Sequence, residues 1–564
     1  MRILLLCHSF NSLTQRLHCE LRAAGHKVSV EFDINDVVTE DAVRLFAPDV
    51  ILAPFLKRAI PASVFEAVPC LIVHPGPLGD RGPAALDWAI LDGADQWGVT
   101  VLQAVADLDA GPVWAHRDFP LRSASKSSLY RHEVSKAAVE AVFEALEKFE
   151  RGETPLEVPK AQSRWRPAVR QSDRAIDWAA DSSETLRRKI RSADGMPGVR
   201  GELFGEPVFL FDARPFQAPV DPSVSPGTPI ARSGPAIGVK TIDGAVWIGH
   251  VRKAGRQTVK LPATHVFERT CTHLPEIENG YQDIRFEQDG RVGYLHFDFY
   301  NGAMGTDACT HLTAAFKAAI EQPLDLLVLM GGPDHWSNGL NLNLIEAAHS
   351  PAEESWQNIQ AIDRLAEEII RTTGTWIVSA LCGNAGAGGV FLARAADEVW
   401  VHPATVLNPH YKDMGNLYGS EFWTYLLPKY SGAENAARIA EARLPMGAEE
   451  ALTLGLADQI LAGQDHGFVD LVRQNAAARL NETLPQRLAQ KAATRAQDEA
   501  ERPLDAYRAA ELARMRKNFF GFDPSYHVAR YNFVHKIPKS RTPLTLAHHR
   551  ATPATTSSAK RVTS

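Results

Sequence analysis

The stretch Ala380-Leu-Cys-Gly-Asn-Ala-Gly-Ala-Gly-Gly-Val-Phe-Leu-Ala-Arg-Ala-Ala-Asp397 runs from an apolar strand through a glycine-rich turn into a helix. Its glycines remove the Cβ atoms that would keep a ligand away from the backbone N–H groups. The helix that begins after them directs the positive end of its dipole toward the same space. The pattern predicts either a site that stabilises a developing negative oxygen or simply tight packing of a strand on a helix.

The composition limits the classes of protein to consider. A chain of 564 residues is too long for one core and predicts three or four domains. Hydrophobic residues make up 45% and charged residues 23%, which is typical of a globular protein, and the net charge of −7 argues against a general binder of nucleic acid or anionic membranes. No apolar run approaches the roughly 20 residues that cross a bilayer, and the opening apolar run is too short for a signal peptide. We expect a cytoplasmic protein.

The cysteines indicate neither disulfides nor a metal site. The six of them, at positions 7, 19, 70, 271, 309 and 382, form no Cys-x-x-Cys pair. This spacing favours reduced thiols, and we expect no structural metal.

The first 160 residues open as a βαβ unit. The loop after the first strand, residues 8–14, is polar where a dinucleotide-binding domain would carry Gly-x-Gly-x-x-Gly, so dinucleotide binding is not expected. The candidate chemistry follows the fourth strand, where His74 lies at the end at which open α/β sheets bind ligands. A carboxylate from a later loop would complete an acid–base pair with it. The alternative is a loop histidine that only hydrogen-bonds its own turn.

The motifs His74-Pro, Arg81-Gly, Gly98-Val-Thr and Asp109-Ala-Gly occur in the order found in the 10-formyltetrahydrofolate-dependent formyltransferases, typified by methionyl-tRNA formyltransferase. The resemblance implies that His74 and Asp109 are catalytic and that Arg81 helps to bind the folate. One position departs from the family, because Ile72 stands where its catalytic asparagine would be. The loss of one oxyanion donor, worth about 2.7–4 kcal/mol in other acyl-transfer sites, favours a thiol over an amine as acceptor.

Residues 161–272 contain short apolar strands separated by Gly and Pro. They resemble the small, OB-like β-barrel domain that follows the catalytic domain in the formyltransferases.

Residues 273–480 contain the opening glycine stretch. It follows a predicted hairpin at residues 284–300, a strand at residues 324–330 and a strand at residues 376–381. These segments resemble the crotonase (enoyl-CoA hydratase/isomerase) superfamily. The resemblance implies a spiral ββα core that binds acyl-CoA, with the N–H groups of Leu340 and Gly388 around the thioester oxygen and with Gly386 and Gly389 at the cofactor.

The crotonase resemblance does not extend to the hydratase acids. The two glutamates that hydratases use fall at Phe391 and near Tyr411, so hydration of an enoyl group is not expected. We predict that Tyr411 and Glu421, on the loop beyond Asn408, supply the proton chemistry. The alternatives are a packed surface tyrosine and a glutamate that caps a helix.

The C-terminal part divides into two segments. Residues 481–540 combine a helical pattern with interleaved aromatic and basic side chains, and they predict a segment that docks on another domain or subunit. Residues 541–564 hold few large apolar residues and no acids, which predicts disorder.

The fold class is therefore α/β, with a Rossmann-like formyltransferase domain, a small barrel and a crotonase-like spiral with a helical tail. This pairing resembles the HypX (HoxX) family of hydrogenase maturation factors across nearly the whole chain. The resemblance implies that 10-formyltetrahydrofolate donates a formyl group to coenzyme A and that formyl-CoA is then split into CO for the [NiFe] centre and CoA. It also implies a hydrogenase large subunit or its maturation proteins as partners.

Two other functions fit the same residues. One is a bifunctional enzyme that formylates an amine and separately handles an acyl-CoA. The other is a non-catalytic, CoA-binding assembly factor that docks through its aromatic tail. The sequence leaves open the oligomeric state, a passage between the sites, the domain that holds the CoA nucleotide and the partner that receives CO.

Overall fold

The computed structural model describes residues 1–463 and 467–551, and its first domain is built on one six-stranded sheet. The strands of this sheet are β1 (Arg2–Cys7), β2 (Lys27–Phe32), β3 (Val50–Phe55), β4 (Cys70–His74), β6 (Gln96–Gln103) and β7 (Val113–Pro120). The short strand β5 (Asp80–Arg81) lies outside it. Its helices are α1 (Ser12–Ala23), α2 (Asp36–Phe46), α3 (Ala62–Phe65), α4 (Ala85–Asp92), α5 (Lys126–Leu129) and α6 (Ser135–Glu150).

The order β2-β1-β3-β4-β6-β7 explains where the first site lies. The strands β2, β1, β3 and β4 are parallel, and β6 and β7 run antiparallel to their neighbours. Helices cover both faces, so the central strands are buried apolar runs, such as the wholly buried Leu4 and Leu5 of β1. Because β4 ends at His74, this side chain emerges at the carboxyl edge of the parallel strands, where we expected it.

The second domain is an antiparallel sheet. Its elements are β8 (Arg164–Trp165), α7 (Ser183–Arg191), β9 (Val199–Leu203), β10 (Glu206–Pro215), β11 (Pro229–Ser233), β12 (Ala236–Lys240), β13 (Ala245–Lys253), β14 (Leu261–Pro262), α8 (Ala263–Val266) and α9 (Glu268–Cys271). The main strand order is β11-β12-β13-β10-β9, with β14 on β13. The strand β8 pairs with β5 and so ties the start of this domain to the loop that follows His74.

The third domain contains two sheets. Its strands are β15 (Ile284–Asp289), β16 (Val292–Phe297), β17 (Leu326–Gly331), β18 (His335–Ser337), β19 (Trp376–Leu381), β20 (Asn384–Gly386), β21 (Glu398–Val401), β22 (Val406–Asn408), β23 (Met446–Gly447) and β24 (Gln459–Ile460). Its helices are α10 (Thr306–Ile320), α11 (Leu342–Ala347), α12 (Pro351–Arg371), α13 (Gly388–Arg394), α14 (Trp423–Ser431), α15 (Ala433–Ala442), α16 (Ala448–Thr453) and α17 (Phe468–Arg479).

The topology of the third domain places the glycine stretch between its sheets. The larger sheet has the order β15-β16-β17-β19-β21-β24 and the smaller one β18-β20-β22-β23. The chain crosses from β19 in the first to β20 in the second and then enters α13, whose residues are all buried. The glycine-rich turn therefore lies between the two sheets, and the helix that follows it is buried in the domain core.

The tail forms three helices, α18 (Leu484–Glu501), α19 (Leu504–Phe520) and α20 (Ser525–Val534). The helical pattern predicted within residues 481–540 is interrupted at Pro503, which has no N–H to donate to a continuous helical ladder. Leu504, Met515 and Phe519 of α19 join the main hydrophobic core of the third domain. The segment thus packs on the third domain of its own chain.

The prediction of disorder for residues 541–564 is wrong for its first part. Leu546 is buried in the core of the first domain, and its carbonyl oxygen accepts a hydrogen bond from Val30 N at the sheet edge. The carboxylate of Glu31 on β2 accepts from Thr542, Arg550 and His549. The local composition gave no sign of these contacts, because the partner surface lies some 500 positions earlier. Residues 552–564 lie outside the described part of the chain.

Among the described helices, none is both long and apolar enough to cross a lipid bilayer.

Candidate active sites

The first candidate site is built around a buried imidazole between two carboxyl groups. His74 Nε2 lies 3.0 Å from Asp80 Oδ2, and His74 Nδ1 lies 3.7 Å from Asp109 Oδ2. All three side chains are less than a tenth exposed. Each ring nitrogen therefore faces a carboxylate oxygen, an arrangement that fixes the orientation of the ring.

The loop after β4 reaches this geometry because it contains glycine. A Cβ at Gly76 would lie 2.5 Å from both His74 Nε2 and Asp80 Oδ2, so only glycine leaves room for the pair. Gly82 N donates to Asp109 Oδ2 at 3.1 Å. The backbone of Asp109 is left-handed, with φ of 51°, and Arg81 supports that loop by donating to the Leu108 carbonyl at 2.8 and 3.1 Å. The structure thus gives Arg81 a contact within the protein, and its role toward folate stays a prediction.

Ile72 lies two residues before His74 on β4, so both side chains point to the same face of the sheet. This is the position where the formyltransferase resemblance would place an amide, and the aliphatic side chain offers no donor there. The structure places another polar group in the site, the carboxyl group of Asp80, six residues after His74. The sequence reasoning missed it, although it stands within the same loop.

The second candidate site lies at the start of α13. The cap residue Ala387 has φ of 48° and ψ of −124°, which turns the chain sharply before Gly388. As the first residue of the helix, Gly388 has an N–H without an acceptor inside the helix. A Cβ at Gly339 would lie 3.7 Å from Gly388 N, so the loop that carries Leu340 runs directly beside that N–H group.

The neighbouring glycines allow this close approach. A Cβ at Gly389 would overlap the carbonyl of Ser337, and one at Gly386 would lie 3.3 Å from Asn338 Oδ1. Gly389 therefore lets α13 pack against β18. The predicted roles of Gly386 and Gly389 at a cofactor and of Leu340 and Gly388 in an oxyanion hole stay predictions.

Tyr411 and Glu421 meet beside Gly388. Tyr411 Oη lies 2.7 Å from Glu421 Oε2 and 2.9 Å from the Ser420 carbonyl oxygen. The phenol has one proton, so it donates to only one of these two groups. A protonated Glu421 resolves the conflict, because its O–H donates to Tyr411 while Tyr411 donates to the Ser420 carbonyl. A Cβ on Gly388 would overlap the Glu421 carboxyl, which shows how close this group lies to the helix start.

The surroundings favour the neutral form of this pair. Burial, assisted by the nearby Asp363 carboxyl, raises the pKa of Glu421 to about 8. Burial and the adjacent Glu421 raise the pKa of Tyr411 well above its usual value. At neutral pH the site thus presents a carboxylic acid and a phenol, both able to donate a proton.

Three family models match the chain, in the order of its domains. "Formyl transferase" covers residues 26–146, "Formyl transferase, C-terminal domain" covers residues 168–265, and "Enoyl-CoA hydratase/isomerase" covers residues 297–536. The hydrogenase maturation factor HoxX of Bradyrhizobium diazoefficiens is 56% identical over 554 residues, which span 98% of this chain and 97% of that protein. The chain belongs to the HypX/HoxX family.

Solved structures of that family share the whole architecture. Two crystal structures of HypX from Aquifex aeolicus, one of a variant and one in complex with tetrahydrofolic acid, are 43% identical and cover 98% of this chain and 99% of theirs, each with a TM-score of 0.94. These matches confirm the predicted α/β fold with its formyltransferase and crotonase-like parts and the predicted family. The domain boundaries at 160, 272, 480 and 540 stay predictions.

In this HypX/HoxX-family chain, the first and third domains touch beside the second site. Gln15 of α1 accepts a 3.0 Å hydrogen bond from the Asn408 side chain, three residues before Tyr411. Asp334, next to β18, accepts from Ser128 at 2.6 Å and lies 3.0 Å from His132 Nε2. The second site is thus close to the surface that the first domain covers.

Phe391 of α13 packs on the ring of Tyr411, with centroids 5.7 Å apart and planes 15° apart. The ring of Phe391 thus helps to hold the phenol of Tyr411 in position, and the correspondence of Phe391 with a hydratase acid stays a prediction. Sequence reasoning missed Asp363 and Glu511, two buried acids that contact the loop of Glu421.

Proposed function

We propose that this chain is a hydrogenase maturation enzyme that produces CO in two steps, formyl transfer from 10-formyltetrahydrofolate to coenzyme A and cleavage of formyl-CoA to CO and CoA. The observation that carries the proposal is the Glu421 carboxyl beside the N–H end of α13 and hydrogen-bonded to Tyr411. This site would place an acid beside a bound thioester. The two glutamates that hydratases use are not expected here, because the crotonase resemblance aligns them with Phe391 and with a position near Tyr411. The name of the Bradyrhizobium relative supports the role in hydrogenase maturation.

In the first step, the thiol sulfur of CoA forms a bond to the formyl carbon while the bond from that carbon to the folate nitrogen breaks. The thiol proton passes to the Asp80 carboxylate, and protonated His74 gives a proton to the departing nitrogen. Asp109 orients the imidazole, and transfer of a proton from Asp80 to His74 across their 3.0 Å contact restores the starting state.

A thiol acceptor fits this site better than an amine does. A thiolate is a strong nucleophile once its proton has gone to a nearby base, whereas an amine must first be released from its ammonium form. Either acceptor adds through a tetrahedral oxyanion, which a hydrogen-bond donor would stabilise. Ile72 offers no such donor. Asp80 supplies the base. The Aquifex HypX structure with tetrahydrofolic acid supports a folate as the donor for this chain.

In the second step, the N–H groups of Leu340 and Gly388 hold the carbonyl oxygen of formyl-CoA. Glu421 gives its proton to the sulfur as the carbon–sulfur bond breaks. Tyr411 takes the formyl proton and returns its own to Glu421 across their 2.7 Å hydrogen bond. One proton leaves carbon and one reaches sulfur, so the products are CO and CoA and the pair returns to its initial protonation state.

The requirement for CoA tests this proposal. The enzyme is incubated with formyl-labelled 10-formyltetrahydrofolate, with and without CoA, and labelled CO is trapped on haemoglobin. We expect CO only when CoA is present, with the CoA recovered at the end. Equal CO yields without CoA would contradict the proposal, and a labelled formyl amine product would favour the amine-formylating alternative.

A further inference from the structure

Three carboxyl groups are buried together beneath the second site. Glu421 on its loop and Glu511 on α19 are each 1% exposed, and Asp363 on α12 is fully buried. Burying acids is costly unless hydrogen bonds compensate for the lost water. The proposed proton transfers need only Glu421 and Tyr411, so the other two acids require a separate explanation.

Asp363 holds the residue before Glu421 and the backbone of Glu421 itself. Its Oδ1 accepts from Ser420 Oγ at 2.6 Å and from Glu421 N at 2.8 Å. Its second oxygen lies 3.8 Å from Arg508 Nε of α19. A helix of the third domain thereby fixes the first half of the loop.

Glu511 holds the next residues. Its Oε2 accepts from Phe422 N at 3.0 Å, and its Oε1 accepts from Thr424 N at 2.8 Å and from the Thr424 hydroxyl. All of these donors belong to the start of α14 and the residue before it. A helix of the tail thereby fixes the second half of the loop.

The conformation that these bonds hold is strained. Glu421 and Phe422 both have left-handed backbones, with φ of 59° and 60°. Such conformations are unfavourable for residues with a side chain and persist only where the surroundings determine them. The consecutive left-handed residues turn the Glu421 side chain back toward Gly388, so the strain serves to direct the acid.

The carboxyl groups around Glu421 also favour its protonated form. Asp363 faces it from α12, Glu511 from α19 and Tyr411 from its own loop, and Cys309 of α10, near Arg364, also lies close. Glu367 of α12 and Arg508 of α19 act on Asp363. The carboxyl groups closest to Glu421 are those of Asp363 and Glu511. Burial raises the pKa of Asp363 to about 6 and the pKa of Glu511 to about 8.

We propose that Asp363 and Glu511 are positioning residues of the second site, which hold residues 420–424 so that the Glu421 carboxyl lies against Gly388 as a proton donor. The tail helix α19 is then part of this site. The inference rests on the proposed role of Glu421, and it assigns to the tail a function in the reaction itself.

The test uses the full chain and synthetic formyl-CoA, and it measures kcat for CO release from pH 6 to 9. Asp363→Asn keeps an oxygen that accepts hydrogen bonds but removes the negative charge, so Glu421 loses its proton more readily. We expect the alkaline limb of the profile to move to lower pH by about one unit, equal to a tenfold change in its acid dissociation constant. Glu511→Gln should shift the limb the same way by less, in line with its weaker effect on Glu421.

A second variant separates positioning from charge. Ser420→Ala removes the 2.6 Å donor to Asp363 without a change of charge. We expect kcat to fall about tenfold or more, while KM and the pH midpoint stay as in the wild type. The control is Glu368→Gln, an acid on the same helix whose side chain is 35% exposed and paired with Lys317. It should leave the rate and the profile unchanged.

The outcomes distinguish the two proposals. Formyl transfer from folate to CoA, measured separately, reports that each variant is folded. A wild-type enzyme that releases no CO from formyl-CoA overturns the proposed function and this inference with it. A wild type that needs Glu421, together with an Asp363→Asn pH profile and a Ser420→Ala kcat that both equal the wild-type values, overturns this inference alone.

Discussion

Gly388→Ala should block the second step and spare the first. The backbone of Gly388 lies outside the left-handed region, so alanine is compatible with its φ. The added Cβ would overlap Glu421 Oε1 and Cδ and would lie 2.8 Å from Oε2. The carboxyl group must therefore move away from the helix start.

The size of that movement follows from the contact distances. Ordinary van der Waals contact with a Cβ begins at 3.4 Å, so even the farthest carboxyl atom must retreat by about 0.6 Å, the difference between 3.4 and 2.8 Å. The nearer atoms must move further, by about an ångström or more. A displacement of about 1 Å at a reacting group costs on the order of a hundredfold in rate. We expect kcat for CO release from formyl-CoA to fall 10- to 100-fold.

The assay compares CO release from synthetic formyl-CoA with formyl transfer from folate to CoA. The matched control is Gly374→Ala, since a Cβ there has nothing within 4 Å. Both activities of Gly374→Ala, and the transfer activity of Gly388→Ala, should equal those of the wild type. A Gly388→Ala enzyme that releases CO at more than half the wild-type rate would show that Glu421 does not act from its position beside the helix.

Four further predictions concern other groups. Tyr411→Phe removes the hydroxyl that takes the formyl proton, and stopped-flow detection of CO should show a rate loss of about 10²- to 10⁴-fold, with unchanged transfer in the first domain. Asp80→Asn should slow formyl transfer to CoA by a similar factor and leave the cleavage of added formyl-CoA intact; an equal loss of both would contradict separate sites. The free energy of unfolding should fall as the pH rises from about 5 to 8, because folded Glu421, with a pKa near 8, keeps a proton that the unfolded chain releases near pH 4.5. Calorimetry should show a smaller decline for Glu421→Gln, and an identical decline would refute the assignment. Leu546→Ala should destabilise the first domain by about 2–5 kcal/mol, because that side chain fills its core; an unchanged thermal midpoint would count against this packing.

Local patterns were enough to predict the elements that carry the sites. The strand Trp376–Leu381 has the bounds that its apolar run predicts, and the glycines after it mark the start of α13. His74 was identified because the end of a parallel strand is where such sheets bind ligands. Periodicity and glycine spacing are properties of short segments, so a single amino-acid sequence is enough to recognise them.

Contacts between distant segments were not predictable in the same way. Glu511 shares a helix face with Leu504 and Met515, and an acid on an otherwise apolar stripe was the available signal that it is buried. Its partners, Phe422 and Thr424, lie nearly 90 residues earlier, and no local pattern connects them. The burial of Leu546 was missed for the same reason.

The central claim is that formyl-CoA is the intermediate between the two sites, and trapping it is the most direct test. Glu421→Gln, which replaces the proposed proton donor of the second site with an amide, is incubated with ¹³C-formyl-labelled 10-formyltetrahydrofolate and CoA, and the acid-quenched mixture is analysed by mass spectrometry. We predict that labelled formyl-CoA accumulates in step with tetrahydrofolate while labelled CO falls at least a hundredfold below the wild-type yield. Continued release of CO without labelled formyl-CoA would contradict the account.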